Sequence, residues 1–158
     1  MTPVVLFDWG DTLMVDFPRY KGRMCDWPEV AEVPGARQAL EYLCRGSRLY
    51  VASGASDSSV GDIRRALARI DIDSYFTGVF CQSNTGFSKS DPRFFEAILA
   101  SLGVRPGEVT MIGDSLEKDI LPCHRLGMKT VLLSEVDLPS LPPGVGCIRS
   151  LHELVLRA

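Results

Sequence analysis

Short, largely apolar runs alternate along this chain with segments of helical periodicity, and that alternation restricts the fold more than any other feature. The β-rich runs are Pro3–Asp8, Leu49–Ser53, Gly78–Gln82, Val109–Asp114 and Lys129–Ser134, with a weaker one at Cys147–Arg149. Between them, Ala36, Ala39, Leu40 and Leu43 share one face of a helix predicted over Pro34–Arg45, with Pro34 at its first position. Ile63, Ala66, Leu67 and Ile70 do the same within Val60–Ile70, behind a Ser/Asp-rich capping region. A third helix is predicted over Pro92–Leu102, between a capping Asp91 and Gly103. A fourth, Leu116–Leu126, ends at Gly127 and has Pro122 as a kink, and a short one closes the chain at Ser150–Arg157. Strands alternating with helices of this length predict an α/β fold with a mainly parallel sheet covered on both faces. The 158 residues suit a single domain, 1–158, with a sizeable core.

Composition narrows the partners. With 46% hydrophobic and 23% charged residues the chain reads as an ordinary globular protein. A net charge of −3 gives no basic field to favour nucleic acid or an anionic membrane, and no stretch approaches the roughly 20 apolar residues of a membrane span. Five scattered cysteines without a CxxC pair argue against a zinc site or a disulfide framework, and favour a reducing setting. The first residues lack a targeting pattern, so a cytoplasmic location is expected.

In parallel sheets, ligands bind beyond the carboxyl ends of the strands. After the first strand come Asp8, Gly10, Asp11 and Thr12; after the second, Ser53 and Gly54. A loop after the third leads to Lys89, and after the fourth come Asp114, Ser115, Glu117 and Asp119. Carboxylates suit Mg2+, which takes one or two of them and completes its shell with water and phosphate oxygens. A lysine neutralises phosphate as a point charge, a serine and backbone N–H groups hydrogen-bond the rest, and a carboxylate can attack phosphorus. Each residue also has a plainer reading. Asp8 and Ser53-Gly54 could be turn residues, Lys89 a solvated loop lysine, and Asp119 a complement to a helix N-terminus.

Taken in order, "FDWGDTL", "VASGAS", "KSDPRFF" and "MIGDSLEKDI" resemble the four motifs of the haloacid dehalogenase superfamily, over roughly residues 4–134. The resemblance implies a Rossmann-like core and a magnesium-dependent phosphatase. Asp8 would be nucleophile and metal ligand, with the Gly10 carbonyl, Asp114 and Asp119 as further metal-site groups. Ser53, Gly54 and Lys89 would bind phosphate. The expected partner is a phosphorylated small molecule or a larger phosphorylated substrate.

Two departures stand out. The usual phosphatase form of the first motif is DxDxT, whose second acid protonates the leaving oxygen and later activates water. Here that position is Gly10, and the extra acid is displaced to Asp11, which faces away from Asp8 in an extended segment. Asp11 would be a substitute catalytic acid if a sharp turn swung it back, and is otherwise a turn residue. A weak or selective phosphatase favouring acyl or aryl phosphates is one expectation. A dehalogenase or phosphonatase type, or an inactive phosphate- or protein-binding domain, are the alternatives. The second departure is the cap: only 14–33 separates the first motif from the next helix, where relatives of this kind insert a full cap domain. That segment, with Arg19, Tyr20, Lys21 and Arg23, is expected to form a flap or minimal cap, either over an anionic substrate or as a solvated loop. An open site of this kind suits a large substrate, or a homo-oligomer in which a second copy covers it.

Overall fold

The computed structural model describes residues 2–138 and 140–156. Among these, six strands form one parallel sheet: β1 (Val4–Phe7), β2 (Arg48–Ala52), β3 (Gly78–Phe80), β4 (Val109–Gly113), β5 (Lys129–Leu133) and β6 (Val145–Ile148). Their order is β3-β2-β1-β4-β5-β6. The chain winds outward from β1 through β2 to β3, then returns to β4 on the other side of β1 and winds outward again. The direction therefore reverses between β1 and β4, whose registered partners run from Val4 with Val109 to Phe7 with Ile112. A crevice opens beyond the carboxyl ends of two such strands.

The side chains of β1 show why the sheet is covered on both faces. Val5 and Phe7 pack into one apolar cluster while Val4 and Leu6 pack into the other, the two-residue alternation of a strand. α1 (Ala36–Leu43) and α2 (Val60–Arg69) cover the first face with Ala36, Ala39 and Leu40 and with Ile63, Ala66 and Leu67. A short α3 (Gln82–Thr85) follows β3, where sequence periodicity gave no signal. α4 (Arg93–Leu102) and α5 (Leu121–Arg125) cover the opposite face with Phe94, Phe95, Ile98 and Cys123. α6 (Glu153–Leu156) ends the described chain; Arg157 of the predicted last helix lies outside the described residues. No helix among the described residues is long and apolar enough to cross a membrane.

Three helix starts differ from the sequence expectation by two residues or more, α6 among them, since it begins at Glu153 rather than Ser150. α1 begins at Ala36 rather than Pro34, because Gly35 turns the chain with φ of +89° before the first helical residue. The stretch after β4 opens with a π-helical turn, Leu116–Ile120, and only then becomes α5, so Pro122 sits in the first turn of a helix instead of kinking one. α2 starts as expected, on a capping box in which Ser59 Oγ accepts from the Asp62 N–H and Asp62 Oδ2 accepts from the Ser59 N–H.

The segment between β1 and α1 is stitched to this framework. The Val15 N–H donates to Ala31 and the Val33 N–H to Leu13, while Met24 and Trp27 are buried in the cluster that α2 joins. Arg69 of α2 donates to the carbonyls of Trp27 (2.6 Å) and Cys25 (3.3 Å). Arg19 pairs with Glu29, and Arg23 pairs with Asp26 and Asp62, so these two cations are engaged within the protein.

Gly35 tests this framework, since a Cβ there would lie 2.8 Å from the His152 backbone nitrogen as well as meeting the left-handed φ. Gly35→Ala is expected to lower unfolding stability by about 1–2 kcal/mol from the backbone conformation alone. Chemical denaturation measures it, and an unchanged midpoint would show that the turn before α1 rearranges freely.

Candidate active site

The loop after β1 is a tight turn built on one carbonyl. Trp9 O accepts from the N–H groups of Thr12, Leu13 and Met14, and Asp11 adopts a left-handed φ of +59°. The Trp9 ring is buried and its Nε1–H points at Met14 Sδ, 3.2 Å away. With Trp9 turned into the core, Asp8 and Gly10 face a cleft of about 970 Å3 at the carboxyl end of the sheet.

Asp8 stands at the floor of that cleft. Its backbone N–H still donates to Ile112 O, which fixes it to the sheet. Lys89 Nζ donates to Asp8 Oδ1 at 2.7 Å and to Ala52 O at 2.8 Å, and lies 2.7 Å from Asp119 Oδ1. That last contact is an ion pair without hydrogen-bond alignment, so Asp119 Oδ1 is buried with no hydrogen-bond partner. Lys89 is thus a buried cation, not a solvated one.

Asp119 reaches this position through backbone geometry. The wide π turn carries the Asp119 N–H and the Ile120 N–H back to Ser115 O, and Asp119 Oδ2 accepts from the Ser115 N–H. Gly113 makes room for it: a Cβ at Gly113 would sit 2.2 Å from Asp119 Oδ2 and 2.6 Å from its Cγ. Gly54 plays the same part for the lysine stem, where an added Cβ would lie 3.2 Å from Lys89 Cβ and Cδ. Ser53 is buried at the end of β2, and its Oγ accepts from the Ala55 N–H at 3.0 Å, leaving its own O–H to donate elsewhere.

Oxygen atoms of Asp8, Asp114 and Asp119 lie within 4.8 Å of one another. Thr12, fully buried, places Oγ1 3.1 Å from both Asp8 Oδ2 and Asp114 Oδ1. Sequence reasoning assigned Thr12 no role; its spacing of four from Asp8 is the signal that a turn would bring it back. Fully ionised, three carboxylates against one ammonium leave two negative charges in excess, which a single divalent cation balances. Hard oxygen donors in this number suit magnesium.

The acidities follow from that crowding. Burial works against the charge on Asp8, but the Lys89 ammonium and hydrogen bonds from Asp114 and Lys89 outweigh it and hold its carboxyl below the ordinary range. Burial likewise opposes the charge on Lys89, and Asp8 and Asp119 outweigh it, so the ammonium is held more firmly than usual. Asp114 is pushed up to about 7 by desolvation, by its hydrogen bond to Asp8 and by the Asp8 charge. Burial pushes Asp119 up to about 6, against the pull of Lys89.

Asp8, Ser53, Gly54, Lys89, Asp114 and Asp119 are therefore brought together on the cleft, with Gly10 beside them. Asp11 also borders the cleft, but its Oδ1 is occupied, accepting from the Asp16 N–H at 2.9 Å. Asp16 is a cleft residue that sequence spacing did not single out, because no motif includes it. Desolvation of its carboxyl, together with the charges of Asp11, Asp8 and Asp57, raises its pKa above the ordinary carboxylate range.

Similarity to known proteins agrees with this site. A family model described as a haloacid dehalogenase-like hydrolase matches residues 11–127. The chain is 33% identical over 100 residues to a glyceraldehyde 3-phosphate phosphatase of Pyrococcus furiosus, covering 63% of this chain and 41% of that protein. It is 30% identical over 95 residues to a phosphoserine phosphatase of Thermus thermophilus, covering 60% of this chain and 38% of that one. The chain thus spans about two fifths of the length of these curated relatives. The crystal structure of an uncharacterized protein from Listeria monocytogenes serotype 4b superposes with a TM-score of 0.81 and 25% identity, covering 98% of this chain and 97% of that one.

Two outcomes test the site. Gly113→Ala is expected to force Asp119 and Lys89 out of place and to lower the melting temperature, whereas an unchanged melt and unchanged magnesium binding would show that Asp119 can move aside. The second concerns pH. A carboxyl whose pKa is raised in the fold favours folding while protonated, so that advantage is present below about pH 4 and is lost as pH rises through the folded-state value near 7. In the metal-free protein Asp114→Asn is therefore expected to melt about 2–4 °C above the natural chain at pH 8 and to lose that lead at pH 4. Magnesium should raise the melting temperature of the natural chain at pH 8 far more than that of Asp114→Asn. Thermal melts with and without chelator read both effects.

Proposed function

This chain belongs to the haloacid dehalogenase-like hydrolase family, and from that membership we propose that it is a phosphatase acting through Asp8. One observation carries the proposal: an acid held ionised by a buried lysine stands at the floor of a cleft, with two further carboxylates within 4.8 Å. The whole chain, 1–158, is taken as one core domain, with 14–33 as its minimal cap.

In this mechanism the substrate phosphoryl group lies over Asp8, its oxygens held by the Ser53 hydroxyl, the backbone at Gly54 and the Lys89 charge. Asp8, kept anionic by Lys89, attacks phosphorus as the bond to the leaving oxygen breaks and the alcohol departs, giving an aspartyl-phosphate whose Asp8–phosphorus link water then cleaves to release inorganic phosphate. Asp8, the Gly10 carbonyl, Asp114 and Asp119 would hold magnesium directly or from just behind its ligands, and the ion would offset the repulsion between Asp8 and the incoming phosphate. Thr12 and Lys89 keep the carboxylates oriented throughout. The substrate class is a phosphorylated small molecule or larger phosphorylated substrate, in keeping with the phosphatases it resembles.

A phosphate-release screen over phosphorylated metabolites, with and without magnesium, tests the proposal. Asp8→Asn keeps the shape of the side chain and is expected to lower turnover by about 10⁴-fold or more. Turnover that survives Asp8→Asn would sink the mechanism, and release of halide from haloacids without magnesium would instead favour a dehalogenase.

A further inference from the structure

Resting on the phosphatase proposal above, we propose that Asp16, from the segment after the first strand, supplies the acid–base group that Gly10 lacks. Because Trp9 is turned into the core, Asp8 and residue 10 share the cleft side of the loop. Gly10 offers no side chain there, yet the space is not empty of carboxylate. A Cβ built on Gly10 would lie 3.5 Å from Asp16 Cβ and 3.6 Å from Asp16 Oδ2, ordinary contact distances. The Asp16 carboxylate thus stands next to the place from which a side chain at residue 10 would act.

Its neighbour Asp11 explains how it stays there. Asp11 Oδ1 accepts from the Asp16 N–H, so the acid next to the glycine anchors the backbone of the acid that faces the cleft. The left-handed φ of Asp11 belongs to the same turn. Among the described residues, the Asp16 carboxylate itself makes no hydrogen bond or ion pair, which leaves it available to a ligand. Asp11 is on this basis a positioning residue, and Asp16 the catalytic one.

The proton balance is complete without another reactant. As the Asp8–phosphorus bond forms and the bond to the leaving oxygen breaks, protonated Asp16 gives its proton to that oxygen. The resulting Asp16 carboxylate then takes a proton from the water that attacks the aspartyl-phosphate, releasing Asp8 and inorganic phosphate.

The test compares glycerol phosphate, whose alkoxide must be protonated, with 4-nitrophenyl phosphate, whose leaving group needs little help. In Asp16→Asn, kcat for glycerol phosphate is expected to fall by about 10²–10⁴-fold, while first-turnover release of 4-nitrophenolate stays within about tenfold of the natural chain. Asp11→Asn, whose amide oxygen can still accept from the Asp16 N–H, is expected to show much the smaller loss on glycerol phosphate. The inference is overturned if Asp16→Asn leaves glycerol phosphate turnover intact, if both leaving groups slow equally, or if Asp11→Asn carries the larger loss. If Asp8→Asn abolishes turnover of both esters and Asp16→Asn leaves glycerol phosphate turnover intact, this inference fails alone. If the natural chain releases phosphate from no ester in the metabolite screen, the phosphatase proposal falls and takes this inference with it.

Discussion

The buried ammonium of Lys89 ties together the ends of three neighbouring strands: Asp8 after β1, the Ala52 carbonyl of β2, and Asp119 beyond β4. Taking a charge out of water costs several kcal/mol, and removing one partner of such a pair typically costs about 3–5 kcal/mol because the other charge is left uncompensated. The lysine is therefore held by the same groups whose charges it balances. Its stem needs the bare backbone at Gly54, and its acidic partner needs the bare backbone at Gly113. These two glycines matter for what approaches them, not for backbone freedom.

Around that cation the remaining chemistry is one of excess negative charge. Burial and the neighbouring Asp8 charge drive Asp114 and Asp119 towards their protonated forms, against the pull of Lys89 on Asp119. Thr12 can give its single hydroxyl hydrogen to only one carboxylate at a time, although it lies 3.1 Å from two. A protonated Asp114 relieves that shortage in the metal-free protein, and a divalent cation would relieve it in another way.

Much of this was legible in the sequence. The alternation of apolar runs and helical periods gives the parallel sheet, and the acids after the first and fourth runs meet because β1 and β4 are adjacent. Asp8, Lys89 and Asp114 are found by looking just past the carboxyl end of each strand. Less legible was anything decided by local backbone geometry. Periodicity presents Leu116–Leu126 as one helix, yet the π turn is what rotates Asp119 inward. Asp11 reads from its spacing as a displaced acid, while its left-handed backbone commits its carboxylate to the Asp16 N–H. Asp16 lies outside every motif, since its position depends on the turn around Trp9 and not on strand spacing.

The anchoring of the segment between β1 and α1 also bears on how the site meets a substrate. Met24 and Trp27, which border the cleft, are buried against the sheet's helical cover, and Arg69 holds the backbone carbonyls on either side of Asp26. Swinging that rim would expose two large apolar side chains and strip α2 of its partners. The rim of the cleft on this side is accordingly braced from beneath, by two buried apolar side chains and by one arginine reaching across from α2.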